Sequence, residues 1–186
     1  MRLRTKFADA RATAPGDAAR GQSSAALITI LFFVLAPGTV AGYIPRRISR
    51  WRVLHPPWDP TLLRALGVLL ISAGAAGLVE CFVRFVRQGR GTPAPVFPTE
   101  RLIVSGLYRW VRNPMYAAVL ALLIGQALWF GNVSVLIYAA GAWLVTHLFV
   151  CFYEEPTLHR AYGEQYDAWR AHVPRWLPRL TPWKSP

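Results

Sequence analysis

From Asn113 to Tyr153 the chain carries no charged residue, and the run is closed by Arg112 at one end and by Glu154-Glu155 at the other. An uncharged run long enough for two membrane crossings, ending in opposite charges, reads as a helical hairpin whose two feet meet at one membrane surface. Chemistry is expected first at those feet.

Composition bounds the class. With 54% hydrophobic and 16% charged residues and a mean hydropathy of +0.28, the chain is too apolar for an ordinary soluble domain of this size. The expectation is one all-α bundle in lipid, with four or five transmembrane helices. A net charge of +12 would point to nucleic acid in a soluble protein. Here the basic residues lie between apolar spans, where anionic headgroups and topology control account for them better. Cys81 and Cys151, the only cysteines, both sit in apolar stretches and suggest no disulfide framework.

Three segments are expected: a disordered basic arm over 1–22, a transmembrane pair over 23–90, and a C-terminal core over 91–186. The arm is polar and alanine-rich, with Arg2, Arg4, Lys6, Arg11 and Arg20 against Asp9 and Asp17. A first span follows from about Ser24 to Ile44. Pro37-Gly38 should kink it or divide it into a re-entrant pair. A signal peptide competes, but the polar lead is long and no small-residue cleavage site follows, which favours an anchor. A second span covers about Leu62 to Phe85, where Ala73, Gly74, Ala76 and Gly77 would let a neighbouring helix approach closely. Glu80 and Arg84, four apart, can pair on one helix face; that structural role is preferred to a catalytic Glu80. The loop GTPAPVFPTERL then leads to the hairpin.

Gly131-Asn132 should be the hairpin turn, with Asn132 capping the fourth span. Four spans place the arm, the Arg84 to Arg112 loop and the tail on one side. That side holds most of the Arg and Lys, so the positive-inside rule puts both termini and the hairpin feet in the cytoplasm. Arg46, Arg47, Arg50 and Arg52 dissent.

In VRNPMY, Pro114 suits the first helical position and Asn113 the cap before it. The third helix would then present its positive dipole end beside Arg112, a combination that attracts a carboxylate or phosphate. Pro156 disfavours helical geometry at Glu155, so the fourth span should end near Glu154-Glu155 and a new helix begin at Pro156. Two carboxylates there attract an ammonium. Side by side, these subsites complement a zwitterionic amino acid group such as the methionyl end of S-adenosylmethionine. They could equally be a salt bridge between Arg112 and one glutamate that closes the hairpin; from the residues alone the two readings stand level.

GLYRWVRNPMY, the uncharged hairpin and YEEPTLHRAYGEQYDAWRAHVPRWLP, in that order and spacing, resemble the isoprenylcysteine carboxyl methyltransferase and phospholipid methyltransferase family of integral membrane enzymes. The resemblance covers about Gly91 to Pro178; the first two spans match only in hydrophobic character. It implies a cytoplasm-facing S-adenosylmethionine pocket and a lipidic or isoprenoid-type acceptor arriving from the bilayer, methylated at a carboxylate or an amine. It also implies that Gly106, Tyr108, Arg112, Asn113, Pro114 and Tyr116 line the cofactor pocket, while Glu154 and Glu155 bind the methionyl portion. Asn113 departs from the R-H-P motif usual in the carboxyl methyltransferase branch. Asparagine keeps hydrogen-bonding capacity but cannot titrate near neutral pH. NPMY and YEEP are more like the phosphatidylethanolamine N-methyltransferase branch, whereas the tail from Gly163 to Pro178 is more like the other.

Methyl transfer from a sulfonium needs close alignment and exclusion of water. A carboxylate acceptor needs no base, but an amine must lose a proton. His147, one helical turn before Cys151 and two before Glu154, is the candidate base, weighed against a histidine merely satisfied by a neighbour. Arg112, Glu155 and His147 are thus the catalytic candidates. His147, Cys151, Glu154, Glu155 and His159 match no metal-ligand spacing, so no metal is expected.

Leu158, Tyr162, Tyr166, Trp169 and Val173 recur at helical intervals and predict an amphipathic C-terminal helix at the interface, also able to cover a bound adenine. Two other functions compete. Sterol and steroid reductases resemble the same C-terminal fold and use a nicotinamide cofactor, but the paired YEEP and short chain argue against them. A non-catalytic scaffold or transporter would need no ligand at the feet, and no internal repeat supports one. The expected setting is a bacterial inner membrane, or an endomembrane in a eukaryote, with no nucleic-acid partner.

Overall fold

The computed structural model describes residues 35–54, 60–88 and 102–184. The basic arm, the start of the first span and nearly all of the GTPAPVFPTERL loop lie outside the described residues. Those described form helices joined by turns, with no strand among them. The long elements are α2 (Thr61–Gln88), α3 (Pro114–Phe130) and α4 (Val133–Phe149); shorter ones are α1 (Ile44–Ser49), α5 (Glu155–Tyr162) and α6 (Glu164–His172). Two helical stretches, Thr61–Phe85 and Val133–Tyr162, are long and apolar enough to cross a membrane. The 17 residues of α3 sit at the short end of that range.

Packing of α2 on α3 rests on the absence of side chains. A Cβ on Gly67 would lie 2.8 Å from the Gly125 carbonyl oxygen, and one on Gly125 would lie 2.7 Å from that of Gly67. Seven residues along, a Cβ on Gly74 would lie 2.7 Å from the Ala118 carbonyl oxygen. A step of seven up α2 is a step of seven down α3, so the helices are antiparallel with backbones in contact, as small-residue interfaces allow. Gly74 was expected to permit such an approach. Gly67 and Gly125 bring it closer to the hairpin turn.

That turn follows expectation. Gly131 takes φ +64° and its N–H donates to the Ala127 and Leu128 carbonyls. Asn132 Oδ1 then accepts from the N–H groups of Ser134 and Val135, satisfying donors at the start of α4.

The expected division at Pro37-Gly38 and the expected end of the fourth span near Glu154-Glu155 are both corrected. Residues 35–38 are helical through Pro37 and Gly38 and run into a π turn, Thr39–Tyr43, which continues as α1. The first helix therefore extends past Ile44 to Ser49. Likewise α4 passes through a π turn, Val150–Glu154, directly into α5, with Glu154 and Glu155 both in right-handed helical conformation. A widened turn ahead of Pro45 and another ahead of Pro156 accommodate the missing N–H and the ring without ending the helix.

At the first π turn, Pro45 has no N–H for the carbonyls four and five residues before it. Those carbonyls are served from the hairpin: Gln126 Nε2 donates to Ala41 O at 2.7 Å and the Tyr138 hydroxyl to Val40 O at 3.1 Å. Side chains of α3 and α4 thereby hold the first helix in place. Beyond α1, Arg50 and Trp51 both take positive φ, and the Leu54 N–H donates to the Phe130 carbonyl at 2.9 Å. The Arg50–Arg52 segment thus lies at the hairpin-turn end of the bundle, opposite the hairpin feet.

The predicted C-terminal amphipathic helix is two helices broken at Gly163, whose φ +52° and ψ −128° suit only glycine. Its aromatic face turns into the protein. Tyr166, Trp169 and Val173 are buried with Cys81, Ile103 and Tyr108, while Leu158 and Tyr162 pack against that cluster.

Candidate active site

Arg112 and Glu155 meet at the hairpin feet. Arg112 Nη1 lies 3.1 Å from Glu155 Oε1, with the two side chains only 10% and 12% exposed. Pro114 is buried at the first position of α3 and brings Arg112 to this point. The π turn brings Glu154 and Glu155 to the other side. From the tail, Arg175 grips Glu155 with two parallel bonds, Nε to Oε1 at 2.7 Å and Nη2 to Oε2 at 3.0 Å. Such fork geometry is stronger and more directional than a single contact. Arg112 Nη1 also donates to the Tyr166 hydroxyl at 3.3 Å, yet its Nε is buried with no hydrogen-bond partner among the described residues.

The paired glutamates differ in surroundings. Glu155 is shared by two guanidiniums, whereas Glu154 accepts a bond at 3.0 Å from the neutral Tyr116 hydroxyl and forms no ion pair among the described residues. Burial, with the charge of Glu155, pushes the Tyr166 phenol above its ordinary range even against the pull of Arg112. Its hydrogen bonds to Glu155 raise the Arg175 guanidinium further. Tyr166 therefore stays neutral and Arg175 charged.

The tail is stitched to the foot of α3. The Arg112 N–H donates to Pro174 O at 2.9 Å, the Arg179 N–H to Trp110 O, and the Trp183 N–H to Arg109 O. Asn113 stands before α3 but makes no side-chain cap; its Nδ2 donates to Arg175 O at 3.1 Å instead. This corrects the expected capping role: the side-chain amide is turned to a carbonyl of the tail.

Gly106 lies against the Glu80–Arg84 pair, whereas Tyr108 shares a buried cluster with Tyr166 and lies close enough to Glu154 and Tyr116 to feel their charge and dipole. Gly106 takes φ +57°, and a Cβ there would overlap the Glu80–Arg84 ion pair. Arg84 Nη1 also reaches Ser105 Oγ at 3.0 Å, in keeping with a structural role for Glu80 and Arg84. Tyr108 is buried in the aromatic core, accepts a bond at its carbonyl from Trp169 Nε1 at 3.0 Å, and has its phenol pushed well above the ordinary range by burial.

His147 stacks on Trp143 with ring centroids 5.2 Å apart, and its Nδ1 accepts from Trp176 Nε1 at 3.0 Å. That bond puts the proton of neutral His147 on Nε2, 3.7 Å from Cys151 Sγ. Trp143, Trp176 and Tyr116 also border an apolar cleft, completed by residues of the first π turn, α3 and α4 such as Val40, Leu120 and Thr146. It holds about 310 Å³ of empty space, its open mouth included. Tyr116, which lines the cleft and bonds Glu154, connects the apolar space to the charged cluster.

Residues 62–165 match the phospholipid methyltransferase family, and the match runs from α2 through both hairpin feet into α6. The chain belongs to that family. Membership implies a methyltransferase, and the two membrane-length helices accord with one that works on lipid. No curated protein matches the chain. Arg112, Tyr116, Glu154 and Glu155 fall within the stretch shared with the phospholipid methyltransferases, whereas Arg175 and Trp176 lie beyond it. Sequence reasoning passed over Arg175; its place in VPRWLP, framed by Pro174 and Pro178, was the available sign of a rigid segment presenting a cation. Among the described residues, no group of three His, Cys, Asp or Glu side chains is placed to hold a metal.

Proposed function

We propose that the protein is an integral membrane methyltransferase that uses S-adenosylmethionine and modifies a lipidic or isoprenoid-type acceptor, at a carboxylate or an amine. The observation that carries the reading is the buried Nε–H of Arg112, unpartnered among the described residues, on a guanidinium paired with Glu155, the residue next to Glu154. A donor left bare at such a position costs about 1–3 kcal/mol, which a ligand carboxylate would recover. Glu154, whose partner among the described residues is the neutral Tyr116 hydroxyl, can meet an ammonium. The amino acid portion of the cofactor carries both groups, so the residues present fit it.

When bound, the cofactor supplies a sulfonium methyl; the acceptor's lone pair bonds to that carbon as the C–S bond breaks, leaving S-adenosylhomocysteine. The protein's part is placement and exclusion of water. Arg112 holds the carboxylate, Glu154 the ammonium, and the tail closes over both. The apolar chain of the acceptor lies in the cleft between the first helix, α3 and α4, with its polar end toward Tyr116. An amine acceptor gives its proton toward Glu154, since the Nδ1 lone pair of His147 is already taken by Trp176; His147 enters this scheme as the anchor of the tail. In a four-span arrangement the hairpin feet face the cytoplasm. The test is methyl transfer from labelled S-adenosylmethionine into lipid extracts by purified protein: incorporation that Glu154→Gln abolishes supports the reading, and no incorporation into any extract overturns it.

A further inference from the structure

Glu155 could pair with Arg112 through both of its oxygens, the usual geometry for a carboxylate and a guanidinium. It does not. Arg175 takes Oε1 and Oε2 with its own fork, so Glu155 reaches Arg112 only through Oε1 and Nη1. Among the described residues, the Nε–H of Arg112 has no partner inside the protein. Arg175 itself is held by the backbone on either side of it: Pro174 O accepts from the Arg112 N–H, and its own carbonyl accepts from Asn113 Nδ2.

We infer that Arg175 is a positioning residue which occupies Glu155 so that Arg112 keeps one N–H free for the carboxylate of the bound ligand. The inference rests on the proposed role of Arg112. Without Arg175, Glu155 swings to a bidentate pair with Arg112, consumes the Nε–H and closes the anion subsite from within. Arg175 then acts only on the part of the ligand that carries the carboxylate. Its charge matters as well: Arg112 and Arg175 together balance Glu154 and Glu155, whereas loss of Arg175 leaves the site net negative and less receptive to a carboxylate.

The experiment is equilibrium binding of two probes to the full chain in detergent: S-adenosylhomocysteine and the analogue in which its carboxylate is replaced by hydrogen. The unaltered protein should prefer the former by about tenfold or more, the scale of a charge-assisted bond. Arg175→Gln should lose that preference by weakening only the carboxylate-bearing probe, while Arg175→Lys, which keeps charge without the fork, should recover part of it. Thermal unfolding of each variant identifies any that fail to fold. Equal weakening of both probes in folded Arg175→Gln would show a merely structural role, and an unchanged preference would also overturn the inference; both leave the proposed function standing. Absence of binding to either probe by the unaltered protein would overturn the function and the inference together.

Discussion

Pro45 and Pro156 occupy equivalent places in their helices: each is the second residue after a five-residue π turn. The turn at Thr39–Tyr43 presents the Val40 and Ala41 carbonyls to the hairpin, and the turn at Val150–Glu154 presents Glu154 and Glu155 to Arg112 and Tyr116. A proline that would otherwise end a helix here sets the register of the widened turn before it.

Removing that constraint at the site should therefore separate fold from binding. Pro156→Ala allows the ladder to return to α geometry, which rotates the preceding residues by roughly 100°, one residue's turn. Helix content should be retained by circular dichroism while affinity for S-adenosylhomocysteine falls about tenfold or more. Unchanged affinity would mean that the π turn does not depend on the proline.

Loss of the side chains that serve the first π turn should register as stability rather than binding. Tyr138→Phe and Gln126→Leu each strand a carbonyl, of Val40 and Ala41 respectively, and each should cost about 1–3 kcal/mol. Unfolding in mixed micelles measures this. Because both bonds hold one helix, the double variant should lose less than the sum of the singles.

The glycines divide into contacts and bystanders. Gly67→Ala drives a methyl into the Gly125 carbonyl and must push α2 from α3, with a loss of about 1–3 kcal/mol expected for overpacking. At Gly141 a Cβ would meet open space, so Gly141→Ala should be neutral or stabilise α4 by about 0.5–1 kcal/mol. Melting temperatures in detergent that failed to separate the two would contradict the close packing.

The hairpin was legible in the sequence because its signals are local: an uncharged run, a Gly-Asn turn, and charges at both feet. Arg112 and Glu155 could be placed at one surface for the same reason, and so could the choice between salt bridge and ligand site, since both begin with that pair. The features that could not be read depend on partners distant in the chain. Asn113 looks like a cap until the tail carbonyl of Arg175 claims its amide, and Pro156 looks like a stop because a π turn leaves no mark in hydrophobic periodicity. Gly163, by contrast, carries its break openly, but the regular aromatic spacing across it hides a helix divided in two.

Whether the hairpin feet hold an amino acid group is decided by equilibrium binding of S-adenosylhomocysteine to the detergent-purified protein and to Arg112→Ala and Glu154→Gln, with NADPH as a parallel ligand. A site formed by these residues should bind saturably, lose at least about tenfold in affinity with each substitution, and leave NADPH unbound. Well-folded protein that ignores S-adenosylhomocysteine, or that binds NADPH in its place, would contradict the methyltransferase site.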